Sequence, residues 1–304
     1  MTVIVAGTGR RPRRTRAATA ATAAAALAAA AIVAVASVAL FTHITAPTGG
    51  QGLTGGPPPA AAQEPSAHRG RQIIDFTRGW KFALANPDGI DVPPAFAGAH
   101  LPGYDDSGWR TLDVPHDWSI ELDPVAGPGT TAGTGFLRGG LGFYRKTFSL
   151  PRSAAGAVVS LEFDGVYMNS EVYLNGELLG THPYGYTGFA YDISAAVHTD
   201  GTPDVVAVKV QNRLPSSRWY SGSGIYRNVR LVVTEPIHVA RAGTTVTTPD
   251  VASTIGQGYA DVHVATDIVN AATDGTDGPD DATVEVKHGI RDAHGHIVAV
   301  SRST

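Results

Sequence analysis

Residues 172–179 read VYLNGELL, and this stretch decides the fold class. The pair Asn175-Gly176 supplies the two positive-φ positions of a type I′ turn, so it predicts a tight hairpin between two strands. Residues 205–210, VVAVKV, alternate between valine and other side chains, which indicates a half-buried strand. Short runs of this kind recur from residue 71 onward between turn residues, a texture typical of an all-β antiparallel sandwich.

The same pattern divides the ordered part of the chain into two domains. The first closes with the apolar run 230–233, so we place it at residues 71–235. Pro236 opens a second strand series whose spacing suits an immunoglobulin-like sandwich of about 100 residues. Residues 236–304 provide 69 positions for it, so we expect a partial sandwich with an unpaired edge strand.

The N-terminal segment, residues 1–46, has the architecture of an export signal. Five arginines between positions 10 and 16 precede an uncharged, alanine-rich run at 17–40. A run of 24 residues exceeds the usual h-region and is long enough to span a bilayer. A cleaved signal peptide and an uncleaved anchor therefore both stay open, and either predicts an exported protein, secreted or anchored on the outer side. Residues 47–70 read as a Gly/Pro-rich linker.

Charge and composition exclude several function classes. There are 23 Lys and Arg residues against 27 Asp and Glu residues, so no basic surface indicates a nucleic-acid partner. The chain has no cysteine, which excludes a disulfide framework, a thiolate nucleophile and a cysteine-based zinc site. His294 and His296 flank a glycine in a turn, with no third ligand suggested. We predict no cofactor and no metal.

Two polar pairs invite a catalytic interpretation. Asp105 and Asp106 are adjacent, but neighbouring residues of a strand point to opposite faces, and carboxylates in a turn bond the local backbone. His116 and Asp117 are similarly interpreted as a satisfied loop pair. No Gly-x-Ser-x-Gly elbow supports a hydrolase triad, so we predict no catalytic residue in this chain.

The most informative loop is residues 212–227, NRLPSSRWYSGSGIYR, which lies between two predicted strands. Aromatic faces stack on pyranose rings and arginine bonds hydroxyls, so the loop could engage a sugar. An inter-strand loop that anchors Trp219 in the core explains the same residues equally well.

Together with four other motifs, this loop resembles the N-terminal sugar-binding domain of glycoside hydrolase family 2, in particular its β-galactosidases. The resemblance implies a galactose-binding-like jelly roll followed by the start of an immunoglobulin-like domain. The other motifs are YDDSGWR at 104–110 with VPHDW at 114–118, GFYRK at 142–146, LEFDGV at 161–166, and 172–180 with His182 and Gly185-Tyr186.

The family resemblance also implies a function. Members of the family are retaining β-glycosidases, and their two catalytic glutamates lie on a later (β/α)₈ barrel of about 250 residues. Neither the barrel nor its motifs occurs in these 304 residues. We therefore expect the non-catalytic N-terminal part of an exported β-galactosidase-like enzyme, inactive alone, whose partners are a β-glycoside or oligosaccharide and the missing barrel. The resemblance also implies three substrate-binding candidates, which are Asn212, Arg218 and Trp219.

Two other functions remain open from the residues alone. One is a self-sufficient, secreted carbohydrate-binding module, and the other is an adhesive surface sandwich with no role in sugar binding.

Overall fold

The computed structural model describes residues 70–271 and 283–304, together with the backbone of three short strands nearer the N-terminus. These strands are β1 (Thr2–Ala6), β2 (Ala17–Thr19) and β3 (His43–Thr45). The predicted apolar run beyond residue 19 and the predicted linker up to residue 69 lie outside the described residues. Within the described part, no helix has the length and apolar character needed to cross a bilayer.

The chain divides into two compact units, one of which is His68–Glu235. This unit holds a six-stranded sheet in the order β10-β9-β12-β7-β5-β6 and a four-stranded sheet in the order β11-β8-β13-β4. Every strand pair within it is antiparallel, as the sequence predicted. Its strands are β4 (Gln72–Asp75), β5 (Trp80–Asn86), β6 (Arg110–Leu112), β7 (Gly140–Phe148), β8 (Val158–Phe163), β9 (Ser170–Leu174), β10 (Glu177–His182), β11 (Phe189–Asp192), β12 (Asp204–Asn212) and β13 (Val229–Thr234).

The hairpin that decided the fold class is confirmed. Strands β9 and β10 pair around Asn175 and Gly176, whose φ angles are 53° and 91°. In β12, Val206, Val208 and Val210 are fully buried as predicted. Ala207 is also buried, so the expectation of a half-buried strand is wrong there. The reason is its place inside the sheet, since Ala207 pairs with Arg145 of β7 and with Tyr173 of β9, whose larger side chains flank it on the same face.

The core between the two sheets is rich in aromatic rings. Trp80 and Tyr144 meet edge to face at 6.4 Å, and Phe82 stacks on Trp118 at 5.8 Å. Both tryptophans are completely buried. A smaller cluster lies on the other side of β7, where Phe143 packs against residues of the segment 94–109. That segment therefore covers part of the outer face of the six-stranded sheet.

A buried arginine holds the covering segment in place. Arg145 on β7 is 2 % exposed and donates hydrogen bonds to the carbonyls of Ala99 and Leu101 and to Asp106 Oδ2, at 2.6, 2.9 and 2.7 Å. Asp105 accepts from the backbone N–H of Ser107, as a turn carboxylate should. The prediction that both carboxylates serve only the local turn is thus wrong for Asp106, because its partner is 39 residues away.

Strands also dominate the second unit, which combines residues 1–67 with Pro236–Thr304. Its sheets have the orders β14-β15-β1-β2 and β17-β16-β3, with β1 and β15 parallel. Strand β17 lies at a sheet edge, as expected for the last strand of the second series. The elements are β14 (Ile237–Thr247), the short helix α1 (Val251–Thr254), β15 (His263–Asn270), β16 (Glu285–Arg291) and β17 (Ile297–Ser303).

Candidate functional site

The loop between β12 and β13 begins at a buried amide. Asn212, the last residue of β12, is 2 % exposed, and its Nδ2 donates to the Gly222 carbonyl at 3.1 Å and to Ser223 Oγ at 2.7 Å. These bonds fold the loop back on its own base. Asn212 Oδ1 is buried and has no hydrogen-bond partner among the described residues. An unsatisfied buried acceptor costs about 1–3 kcal/mol.

Asp117 fixes the far side of this loop. Its Oδ1 accepts from the backbone N–H groups of Ser119 at 3.0 Å and Ser223 at 2.8 Å, and its Oδ2 accepts from the Tyr220 hydroxyl. Burial and this hydrogen bond to Asp117 raise the pKa of Tyr220. The interpretation of Asp117 as a satisfied loop residue agrees with these contacts. Its partners show that it orders the loop on which the candidate sugar-binding residues lie.

Trp219 lies on the outside of the loop, with 67 % of its surface exposed. The alternative in which this loop anchors Trp219 in the core is therefore wrong. Arg218 is also exposed, while Asn212 is buried at the base of the loop. The three predicted site residues thus lie at one loop but in two environments, since Arg218 and Trp219 are on its outer surface and Asn212 is buried at its base.

Two exposed tyrosines on a neighbouring loop were not among the predicted site residues. Tyr184 and Tyr186 are 56 % and 47 % exposed, and their ring centroids lie 5.7 Å apart. The Tyr226 hydroxyl donates to the Gly185 carbonyl at 2.7 Å, so their loop is tied to the end of the β12–β13 loop. The signal that could have found them is the sequence PYGYTG, two aromatics between turn residues.

A cavity of about 380 Å³ lies beside Asn212. Its walls are formed by residues 87–91, 125–130, 138–140 and 212–214, and we call it the sandwich cavity. Arg138 and Asn212 line it and also line a small pocket shared with Trp219 and Tyr220. Arg218 lines neither of these two. The arrangement therefore brings Asn212 and Trp219 together around Arg138, which sequence reasoning missed.

Arg138, which lies between the sandwich cavity and the small pocket, is held by contacts with residues distant in sequence. Its Nη1 donates to Asp88 Oδ1 at 3.0 Å, and its carbonyl accepts from Ser119 Oγ at 2.6 Å. Its Nε is buried without a partner within the described part of the chain. A guanidinium has five N–H donors, so Arg138 retains donor capacity beyond its ion pair.

His116 belongs to a structural network next to the site. Its Nδ1 bonds the hydroxyl of the fully buried Tyr144 at 2.7 Å, and its Nε2 lies 3.3 Å from Glu121 and 3.0 Å from Arg110. Burial lowers the pKa of His116 in spite of the attraction of Glu121. Burial also lowers the pKa of His288, which lies in the second unit and contacts Thr266. Burial in the fold therefore disfavours the charged form of both histidines.

These two histidines predict a loss of stability in mild acid. In the unfolded chain a histidine takes up a proton near pH 6.5, whereas the folded chain takes it up only at lower pH. The unfolded state then binds more protons as the pH falls, so the free energy of unfolding should decrease between about pH 7.5 and 5.5. The slope should reach at most about 1.4 kcal/mol per pH unit for each histidine. Urea unfolding at several pH values measures it.

The double substitution His116→Gln and His288→Gln should flatten this pH dependence. His296→Gln is the matched control, because that side chain is 76 % exposed and its Nδ1 bonds the turn residue Asp292. An unchanged slope in the double variant would contradict the assignment of the pH dependence to His116 and His288.

His294 and His296 lie in the turn between β16 and β17. No group of three or more metal-ligating side chains occurs in the part of the chain that the structure describes.

Comparisons with known proteins match this architecture. Residues 71–236 match the family model described as glycosyl hydrolases family 2, sugar binding domain. The beta-galactosidase BoGH2A of Bacteroides ovatus is 45 % identical over 235 residues, which are 77 % of this chain and 25 % of that protein. A putative beta-glucuronidase of Formosa agariphila is 44 % identical over 165 residues, 54 % of this chain and 15 % of that protein.

Solved structures show the same relationship. A glycosyl hydrolase family 2 member from Bacteroides cellulosilyticus is 31 % identical with a TM-score of 0.56, and the match covers 76 % of this chain and 28 % of that one. A beta-glucuronidase from glycoside hydrolase family 2 is 26 % identical with a TM-score of 0.64, over 79 % of this chain and 25 % of that one. The matched part of the chain thus spans between 15 % and 28 % of the length of these four proteins.

Proposed function

Because this chain belongs to glycosyl hydrolases family 2 through its sugar-binding domain, we propose that it is the non-catalytic N-terminal part of an exported hydrolase of terminal β-glycosidic bonds. Its 45 % identity to a beta-galactosidase supports a β-galactosidase-like activity for the whole protein. The observation that carries the proposal at residue level is the ordered β12–β13 loop, which presents Trp219 at the surface. A catalytic barrel would supply the acid/base and the nucleophile.

In this proposal the loop forms one wall of a substrate site whose reacting groups lie on the barrel. The exposed indole of Trp219 stacks on a pyranose face, and Arg218 donates hydrogen bonds to sugar hydroxyls. Asn212 acts below the surface, where its bonds to Gly222 and Ser223 fix the direction in which the loop projects. Such groups raise the rate by orienting the substrate, with no proton transfer of their own.

Kinetics on a chimera test the proposed site. Residues 71–304 would replace the matching part of the Bacteroides ovatus beta-galactosidase, and turnover of nitrophenyl β-galactoside would be measured. Arg218→Ala should lower kcat/KM. The loss should correspond to about 1–3 kcal/mol of transition-state stabilisation, the scale for losing a hydrogen bond to a charged group. Trp219→Ala should also lower kcat/KM, yet it should change the free energy of unfolding by no more than about 0.5 kcal/mol, since the ring is exposed.

The controls share the exposure of the tested residues but lie elsewhere. Arg78→Ala removes an arginine whose side chain is 84 % exposed, and Ile255→Ala removes an apolar side chain that is 67 % exposed. Both should keep full activity. Full activity of Arg218→Ala and Trp219→Ala would show that the loop is only structural. The 304-residue chain alone should not hydrolyse the substrate, and turnover that depends on one of its own carboxylates would refute the proposed division of labour.

We further propose that the protein is exported, on the strength of the five arginines and the apolar run at 17–40. Expression in a bacterial host with a C-terminal tag, followed by fractionation, tests this. Tagged protein should be recovered outside the cytoplasm or in the membrane fraction. Recovery in the soluble cytosol with the Met1 end intact would exclude export.

A further inference from the structure

The segment 116–119 lies against the C-terminal end of the β12–β13 loop. The backbone N–H of His116 donates to the Ile225 carbonyl at 2.8 Å, and the backbone N–H of Trp118 donates to the Ser223 carbonyl at 3.1 Å. The main chain of this segment is therefore joined directly to the main chain of the loop.

Side chains of the same segment strengthen this joint. Asp117 Oδ1 accepts from the backbone N–H of Ser223 at 2.8 Å, and the hydroxyls of Ser119 and Ser223 lie 2.7 Å apart. Asp117 also accepts from the hydroxyl of Tyr220, the neighbour of Trp219. A local opening that moves the segment away from the loop therefore also frees the residues beside Trp219.

The ring of His116 is enclosed, since its side chain is 8 % exposed. The groups that face it are Arg110 from β6, Glu121 from the turn 119–121, Tyr144 from β7, the Phe82 ring from β5 and, in its own segment, Asp117. His116 Nδ1 bonds the hydroxyl of the fully buried Tyr144 at 2.7 Å. Burial raises the pKa of Tyr144, so this partner stays uncharged.

Two side chains of opposite charge compete for His116 Nε2. The Arg110 guanidinium lies 3.0 Å from Nε2, and Glu121 Oε1 lies 3.3 Å from it. Because a guanidinium can only donate, its hydrogen bond requires a neutral ring with a free lone pair on Nε2. A proton on Nε2 would remove that acceptor and place a second cation beside Arg110. The closed arrangement is therefore that of the neutral ring.

Opening of the segment changes the affinity of His116 for a proton. In the closed state burial lowers the pKa of His116, Glu121 opposes this effect and Arg110 adds to it. Once the segment opens, the ring enters water and takes up a proton near its ordinary pKa of about 6.5. Below that pH the open state binds more protons than the closed state, so acid favours opening. At higher pH both states are neutral and the joint keeps its full strength.

We propose that His116 is a positioning residue that latches the β12–β13 loop while its ring is neutral and releases the loop, together with segment 116–119, when the ring is protonated. This latch is a property of the chain itself and needs no barrel. Its consequence for catalysis rests on the proposed function, because a released loop would no longer hold Arg218 and Trp219 in a fixed direction.

Hydrogen exchange of the 304-residue chain, measured at about pH 7.5 and 5.5, tests the latch. Protection factors remove the pH dependence of the exchange chemistry itself, so their change between the two pH values reports the change in opening. Peptides covering 213–228 should lose protection by up to about tenfold, the limit for one histidine with an open-state pKa of about 6.5. Peptides from 94–109, whose local opening does not expose His116, should change less.

Strand β8 shows whether the loop opens locally. It lies inside its sheet, between β11 and β13, so its amides exchange through larger openings than those of the loop. Protection in β8 should therefore exceed protection in 213–228 at both pH values. Equal protection in the two would mean that the loop opens only with the whole unit, and it would overturn the latch.

Four substitutions separate a titrating latch from a purely structural contact. His116→Gln should abolish the loss of protection in 213–228, whereas His288→Gln, which removes the second histidine with a lowered pKa, should preserve it. Arg110→Gln should reduce the loss, because the closed ring then accepts a proton more easily. Glu121→Gln should show a loss at least as large as the wild type, because it removes the carboxylate that favours the charged ring.

The two ion-pair variants keep the test decisive if His116→Gln fails to fold, because the side chains of Arg110 and Glu121 are 52 % and 39 % exposed. A loss in 213–228 no greater than in 94–109, a loss that persists in His116→Gln, or a smaller loss in Glu121→Gln than in Arg110→Gln would overturn the latch. Each of these results would leave the proposed function standing, since that depends on turnover by the Arg218→Ala and Trp219→Ala chimeras. Full activity of those chimeras would remove the consequence for catalysis and leave the latch intact.

Discussion

Arg145→Met should destabilise the protein by about 3–5 kcal/mol, the cost of breaking a buried ion pair by removing one partner. The Arg145 side chain is 2 % exposed, and its guanidinium binds Asp106 and three backbone carbonyls, those of Ala99, Leu101 and Pro102. Without it, Asp106 keeps its charge beside an apolar side chain, and the carbonyls of Ala99 and Leu101 lose their donor. Urea unfolding should show a lower midpoint. Hydrogen exchange should also accelerate across residues 94–109, because Arg145 attaches that segment to β7.

Arg78→Met is the control for this result. Arg78 also lies near an aspartate, Asp75 at 3.9 Å, but its side chain is 84 % exposed. An exposed ion pair contributes about 0–1 kcal/mol, so this variant should unfold near the wild-type midpoint. Asp106→Asn should fall between the two, since Arg145 would keep its carbonyl acceptors. A cost below about 1 kcal/mol for Arg145→Met would mean that apolar contacts of Phe96 and Trp109 alone hold the segment.

Gly224→Ala should destabilise the protein by about 3 kcal/mol or more, because backbone strain and overpacking add. Gly224 has a φ of 123°, where a side chain is strained. An added Cβ would lie 2.3 Å from the Tyr144 hydroxyl and 2.8 Å from the His116 carbonyl oxygen. The backbone cannot move away freely, since Gly224 exchanges two hydrogen bonds with Tyr167, at 2.8 and 2.9 Å. Thermal and urea unfolding measure the loss.

Gly201→Ala separates strain from collision. Its φ is 96°, but nothing lies within 4 Å of an added Cβ. The free energy of unfolding of this variant should fall by about 1–2 kcal/mol, the cost of backbone strain alone. Equal losses in the two variants would show that the contact with Tyr144 relaxes at no cost. Gly224→Ala should additionally disturb the β12–β13 loop, because the neighbouring Ser223 binds both Asn212 and Asp117.

Local signals in the sequence determined the fold class. The hairpin at 172–179 needed only two residues that tolerate positive φ, and the alternation in β12 needed only a period of two. The family motifs added the identity of the sugar-binding domain, because five stretches occur in order along 166 matched residues, 71–236. Such patterns depend on residues close together in the chain, so they predict the fold class without any knowledge of packing.

Tertiary structure alone decided which polar residues form a site. Asp106 looks like a turn residue until Arg145 approaches it across 39 positions, and Arg138 meets Asp88 across 50. The sequence placed Trp219 equally well in the core or on the surface, because exposure depends on which side of the loop faces the sheets. The Asp117 carboxylate settles that direction through Tyr220 and Ser223, more than 100 positions away. Such pairings depend on the order of the strands in the sheets, and no single segment of the sequence determines that order.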